Sequence, residues 1–265
     1  MFPALEKITI GADPEVMVKT LEGTMTSAIG KVGGSKARPI PVRKGALQED
    51  NVMAEFNIHP ASTTSEFVEN INTVYAELEA VLIPQGLEPS ITSSHEFQME
   101  FLRSQGPKAM EFGCGTEWDG WTENILQKPN GGLSGLRTAG GHVHVGYDDP
   151  WDDGNYALAR MLDIVLGVPS VLLDSDTRRR SLYGSSGSMR HKPYGMEYRP
   201  LSNFWLKSDS LKAWVFDRAK WGAKHLDELE YMLGQVPSSL VQQTINSGDE
   251  AAARHIVDTL NLKVA

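Results

Sequence analysis

The stretch Arg137-Thr-Ala-Gly-Gly-His142-Val-His144-Val-Gly-Tyr147 decides what kind of fold this chain can have. Valine and histidine alternate with the period of a β-strand, in which successive side chains take opposite faces. His142 and His144 therefore share one face, while Val143, Val145 and Tyr147 take the other, the side expected on a core. Two imidazoles on one face of a sheet suit a metal or a phosphate; the alternative is a half-exposed edge strand whose polar face carries histidine twice. Gly140, Gly141 and Gly146 weigh toward the first, because glycine is a poor strand former and permits close approach of a ligand or a second backbone.

Outward from that strand, strand-like and helical runs alternate irregularly, most strands before residue 150 and most helices after it, which gives an α+β class. Ile8 to Lys19 reads as a strand broken by Pro14. From Asp50 to Ile58, Val52, Ala54, Phe56 and Ile58 alternate with Met53, Glu55 and Asn57, and Pro60 ends the run. Thr63, Thr64 and Ser65 open an amphipathic helix to Leu82, with Phe67, Val68, Ile71, Val74, Tyr75, Leu78 and Leu82 at helical spacing. Leu87 to Leu102 reads as another strand or hairpin arm, and residues 105 to 139, rich in Gly, Pro, Asn and Trp, as a functional loop with short strands. Helices are expected over Asn155 to Asp174, interrupted near Gly167 and Pro169, over Ser208 to Gly234, and in two shorter segments after Pro237, the last within Asp249 to Leu262. No repeat or low-complexity tract stands out.

With 265 residues, 40% hydrophobic and 22% charged, the chain is long enough for one large core, with or without a helical appendage. A net charge of -9 argues against a general nucleic-acid or membrane-surface binder. Cys114 is the single cysteine, which excludes an intramolecular disulfide and a multi-cysteine zinc site; a small buried side chain is its simplest role. No apolar run reads as long enough to cross a membrane, and Met1 to Lys7 lacks a basic start with a long apolar stretch, so a cytoplasmic protein is expected.

The polar positions share a theme. Asp13 and Glu15, two apart in Gly11-Ala-Asp-Pro-Glu15, share a face; Glu55 lies opposite the apolar side of its strand; Glu197 and Arg199 share a face. Each alone is more often a solvated side chain, but together the strands can present carboxylate, imidazole and guanidinium to one surface. Carboxylates with one imidazole suit Mg2+ or Mn2+, ions that accompany nucleotide phosphates. Arg178, Arg179, Arg180, Arg190 and Arg199 cluster around the Gly/Ser run from Tyr183 to Met189, a loop able to lie against phosphates or a carboxylate; the alternative is a solvated basic turn. Gly30-Lys-Val-Gly-Gly-Ser-Lys36 lacks the spacing and the strand-to-helix setting of a phosphate loop and reads as a flexible hairpin loop. Any ATP here must bind on a sheet through metals and arginines.

The order Gly11-Ala-Asp-Pro-Glu15, Ala54-Glu-Phe-Asn-Ile-His-Pro60, Phe112-Gly-Cys-Gly-Thr-Glu-Trp-Asp119, Arg137 to Tyr147, and Tyr183-Gly-x-x-Gly-x-x-Arg190-x-Lys-Pro-Tyr-Gly-x-Glu197-Tyr-Arg199-x-Leu-Ser-Asn203 resembles the phage-encoded COOH-NH2 ligase type 2 (amidoligase) family. That family belongs to the glutamine synthetase and glutamate-cysteine ligase superfamily, and the resemblance spans roughly residues 8 to 206. It implies a curved, mainly antiparallel sheet with helices on its convex face, as in the glutamine synthetase catalytic domain. Residues 1–206 would form the catalytic core and 207–265 a helical C-terminal segment packed on the same domain. On the concave face ATP and two divalent ions, Mg2+ or Mn2+, would bind. Asp13 and Glu15 would supply one carboxylate to each ion, Glu55 would join the ion held by Glu15, and His142 and Glu197 the other. His144 would face the ATP phosphates, with Arg199, Arg190 and Arg180 neutralising phosphates or orienting the carboxylate substrate. A further glutamate on the first ion has three candidates, Glu96, Glu100 and Glu111.

The implied activity is ATP-dependent formation of an amide or peptide bond, through an acyl phosphate and with release of ADP. The partners would be small-molecule or peptide carboxylates and amines, in the host cytoplasm, with no nucleic acid or membrane and with room for a homo-oligomer. Two other classes stay open: a zinc hydrolase using His142, His144 and a carboxylate, and a phage structural or binding protein that keeps the fold without activity.

Overall fold

Pro14 divides the first strand-like run between two sheets. In the computed structural model, which describes residues 2–110, 116–126, 134–181 and 183–265, β1 (Thr9–Ala12) stops before Asp13 and β2 (Glu15–Thr20) starts after Pro14. β2 joins β3 (Met25–Thr26), β4 (Ile40–Val42), β5 (Gly45–Asp50) and β6 (Met53–Ile58) in the antiparallel order β3-β2-β6-β5-β4, and β7 (Leu87–Ser90) also pairs with β2. β8 (Ser94–Glu96) and β10 (Leu136–Thr138) form a separate ribbon. β1 lies in the other antiparallel sheet, with β9 (Trp118–Asp119), β11 (Val143–Gly146), β12 (Ser188–Lys192) and β13 (Gly195–Tyr198) in the order β1-β11-β13-β12-β9. Cys114 and Glu111 lie outside the described residues.

One face of this curled antiparallel architecture carries the helices. On β11, Val143 and Val145 are fully or almost fully buried, and α5 (Asp209–Lys224) packs on β1 and β11. On β6, Phe56 meets Tyr75 of α1 (Thr64–Leu82) edge-on at 6.2 Å, which leaves Glu55 on the opposite side. Thr63 caps α1 by accepting from the Glu66 N–H at 3.3 Å, and Phe67, Ile71, Val74, Leu78 and Leu82 are buried at the spacing read from sequence. α3 (Asp152–Leu162) covers β12 and β13.

α3 runs through a π-turn (Asp163–Gly167) into α4 (Val168–Leu173), the interruption expected near Gly167 and Pro169, where the missing proline N–H loosens the helical ladder. By length and composition Asp152–Leu173 is apolar enough to cross a membrane, contrary to the sequence expectation, yet 83% of its apolar window is buried within the protein. It is apolar on all sides because the sheet lies on one side and α8 (Glu250–Leu260) on another.

Other expectations give way to local geometry. Asp50 to Ile58 is the end of one hairpin: Asn51, at φ 58°, makes the two-residue turn between β5 and β6, a conformation asparagine tolerates. Leu87 to Leu102 is strand only as far as Glu96. Met99–Ser104 is α2, and Phe97 stacks on Phe101 four residues on, at 5.5 Å. Ser208 to Gly234 is broken after Lys224, where His225 donates its backbone N–H (3.0 Å) and turns its ring Nδ1 (2.8 Å) to the Trp221 carbonyl; α6 (Leu229–Gln235) follows one 3-10 turn. α7 (Ser238–Ser247) and α8 are the two shorter helices after Pro237, and Val241, Ile245 and Ile256 join the main core.

Behind the sheet the π-turn presents Asp163, fully buried, to four donors: Trp121 Nε1 (2.7 Å), Ser186 Oγ (2.6 Å), the Gly187 N–H (2.7 Å) and Tyr198 Oη (2.7 Å). Burial pushes its carboxyl up to about 6 against those donors. The carboxylate thus ties β13, the turn before β12 and Trp121 together. Asp163→Asn turns an amide NH2 toward donors that need an acceptor, and each orphaned donor costs about 1–3 kcal/mol. The expected result is a loss of about 2–5 kcal/mol in urea denaturation at neutral pH; an unchanged midpoint would remove Asp163 from this role.

Candidate active site

Gly140 and Gly141 let the first chain crossing close onto β11. The Gly140 N–H donates to Glu15 Oε2 at 2.7 Å and the Glu15 N–H to the Gly140 carbonyl at 2.8 Å. A Cβ on Gly141 would stand 2.2 Å from the Ser202 carbonyl oxygen, so no larger residue fits there without moving backbone. Asp13, stepping between the sheets, is thereby delivered to the histidine face of β11.

Both imidazoles meet that carboxylate. Asp13 Oδ1 lies 3.3 Å from His142 Nδ1 and 2.9 Å from His144 Nε2, and His142 Nδ1 lies 3.6 Å from Glu197 Oε1. The register explains the convergence, because His144 is paired with Gly11 on one side and Glu197 on the other. Among the described residues, Asp13, His142 and Glu197 are the group able to hold a metal ion, with one ligand atom from each and all of these within 4.8 Å of one another. His144 Nδ1 is 2.5 Å from Tyr194 Oη, while its buried Nε2 faces Asp13 without a hydrogen-bond partner of good geometry.

A buried network of arginines and glutamates frames this group. Arg199 pairs with Glu197 and with Glu117 Oε1 (3.0 Å), and its Nη1 lies 3.3 Å from His142 Nδ1. Arg190 spans the same two glutamates, 3.1 Å from Glu117 and 3.5 Å from Glu197, and Lys192 Nζ sits 2.7 Å from Glu197 Oε2. Burial and the Arg199 charge lower His142, which keeps its imidazole neutral and a lone pair available. Burial alone would raise Asp13, but His144 and His142 hold it well below the ordinary carboxylate range. Glu15 and Glu55 stand directly opposite one another on β2 and β6. Burial, and then the Asp13 charge, push Glu55 well above its ordinary range, and its Oε2 is buried with no hydrogen-bond partner. Opposed carboxylates with an orphaned oxygen form a place that a cation fits.

Two cavities flank the group. One, of about 50 Å³, is lined by His142, Glu15 and the guanidiniums of Arg179, Arg190 and Arg199; the other, of about 500 Å³, by Asp13, His144, Glu55 and Tyr194. Arg180 reaches neither cavity: its Nη2 bonds Ser170 Oγ at 3.2 Å, behind the sheet. Arg179 is there instead, with Nη2 3.3 Å from His142 Nε2. Glu96 and Glu100 are exposed and line neither cavity, and Glu111 lies outside the described residues. The acidic groups that do reach the site unannounced are Glu117, within the Phe112 to Asp119 motif, and Asp50; the unannounced cations are Lys36, Arg137 and Lys192.

Residues 133–265 match the family model described as Phage phiEco32-like COOH.NH2 ligase-type 2. The chain belongs to this family. The matched half of this COOH-NH2 ligase carries His142, His144, Arg179, Arg190, Glu197 and Arg199, while Asp13, Glu15, Glu55 and Glu117 come from the other half and meet them in the fold. No curated protein matches the ligase chain.

Proposed function

We propose that this protein joins a carboxylate to an amine at the expense of ATP, activating the carboxylate as an acyl phosphate and releasing ADP. The observation that carries this reading is Arg179. It is 2% exposed, beside the Asp13, His142 and Glu197 group, and among the described residues it has no ion-pair partner; its bonds go to the Pro200 carbonyl and to His142. A buried guanidinium without a carboxylate suits an anionic ligand.

Amide formation from a carboxylate in water is uphill, and phosphoryl transfer to the carboxylate makes a leaving group without any protein nucleophile. Mg2+ or Mn2+ held by Asp13, His142 and Glu197, with a second ion at Glu15 and Glu55, would supply positive charge to the phosphate oxygens. The chain's own residues orient and neutralise. Neutral His142 offers a lone pair; Glu117 and Glu197 fix Arg199 and Arg190, so that their charges need not reorganise as anionic oxygens crowd the small cavity. His144, anchored by Tyr194, holds Asp13 in place.

The test is incubation with ATP, Mg2+, hydroxylamine and a panel of amino acids and small carboxylic acids. The expected products are ADP and a hydroxamate, since hydroxylamine intercepts any activated carboxylate. Release of AMP and pyrophosphate would overturn the acyl phosphate, and turnover without ATP together with one tightly bound zinc per chain would replace the ligase with a hydrolase.

A further inference from the structure

Among the described residues, Lys36 alone lines both cavities. Its backbone explains how a residue from a glycine-rich loop comes to stand there. Ser35 and Arg38 exchange backbone hydrogen bonds of 3.1 and 2.9 Å, closing a tight turn with Lys36 and Ala37 at its tip. The turn is pinned to β5: the Gly33 N–H donates to Glu49 at 2.8 Å, and Gly34, at φ +73°, has its Cβ position 2.8 Å from the Leu47 carbonyl oxygen. The cation common to both spaces is therefore carried on a fixed support.

Its present partner is weak. Lys36 Nζ lies 3.6 Å from Asp50 Oδ2 with 59% of the lysine side chain exposed, and such a pair contributes about 0–1 kcal/mol. The charges of Glu55 and Glu15 also act on the ammonium, but neither is within ion-pair distance, so an incoming phosphoryl oxygen has only the exposed Asp50 pair to displace. The cavity sizes match the two parts of a nucleotide: about 500 Å³ accommodates a nucleoside, and about 50 Å³ suits a small anionic group such as a phosphoryl. We infer that Lys36 bonds the terminal phosphoryl group of the nucleotide at the boundary between the two cavities, an inference that rests on the ATP-dependent ligase reading. In the step it serves, a substrate carboxylate oxygen forms a bond to the γ-phosphorus as the bond from that phosphorus to the β,γ-bridging oxygen breaks, and ADP leaves with the electron pair. Lys36 balances the negative charge as it shifts and neither gains nor loses a proton.

The experiment compares binding of the β,γ-imido analogue of ATP with binding of ADP, both with Mg2+, by calorimetry of the full chain. The unsubstituted protein should favour the triphosphate analogue. Lys36→Met should cut that preference roughly ten- to a hundredfold with ADP affinity nearly unchanged, and Lys36→Arg should restore most of it. An unaltered preference in Lys36→Met, or none in the unsubstituted protein, overturns the contact. Failure of the unsubstituted protein to bind either nucleotide with Mg2+ overturns the ligase reading itself, and Lys36 falls with it.

Discussion

Glu197→Gln should abolish ATP-dependent hydroxamate formation and also destabilise the fold by about 3–5 kcal/mol, whereas Glu15→Gln should lower activity with little effect on stability. The difference lies in what each carboxylate holds. Glu197 is completely buried and pairs with Arg199, Arg190 and Lys192, so a neutral amide leaves the two arginines with Glu117 as their remaining ion-pair partner and Lys192 with none among the described residues. Glu15 accepts one hydrogen bond from the Gly140 N–H, which a glutamine carbonyl can accept equally well. The stability gap has a pH signature. Burial and the Asp13 charge push Glu197 up, but Arg199, joined by His142 and His144 once acid protonates them, outweighs these and leaves it well below its ordinary value of 4.5. A carboxylate lowered by folding stabilises the native state above that ordinary value, and the contribution is lost as pH falls toward the native one. Urea denaturation of the unsubstituted protein and Glu197→Gln should therefore differ most at neutral pH and converge on acidification. A gap that is constant with pH would contradict the ion network, and undiminished turnover in both variants would remove the carboxylates from the metal site.

How much of this was legible depends on how many residues carry the period. The β11 and β13 runs are long enough for alternation to show, so the shared faces of His142 with His144 and of Glu197 with Arg199 follow from sequence. Pro14 marks a break, but nothing in the run says that the chain changes sheets there, nor that Asp13 turns to the imidazoles while Glu15 turns to Gly140. Glu117 adjoins a strand of only two residues, too short for any period. Lys36 sits in a loop whose glycines advertise a turn and say nothing of where its tip points. The break after Lys224 is hidden for the opposite reason: Val215, Ala219, Gly222, Leu226 and Leu229 keep helical spacing straight through it, while the capping by His225 is a local event that hydrophobic periodicity does not record.

The consecutive arginines carry that lesson to an experiment, because a 3-10 turn rotates neighbours to different sides and sequence offers no phase for it. Arg179→Met should lower hydroxamate formation by about a hundred- to a thousandfold, the usual consequence of removing one preorganised donor from an anionic transition state. Arg180→Met, from the far side of the sheet, should leave turnover within about threefold. Stability should move the other way from Glu197→Gln. Burial lowers Arg179 to about 10, so it stays charged at neutral pH without an ion-pair partner among the described residues. Replacing an unpaired buried cation by an apolar side chain of similar length removes a desolvation cost, and Arg179→Met should be as stable as the unsubstituted protein or more so. Arg179→Lys should recover only part of the rate, since a point charge cannot reproduce the planar fork that engages two oxygens at once. Activity lost in Arg180→Met and kept in Arg179→Met would mean that the anionic substrate group binds outside the small cavity beside His142.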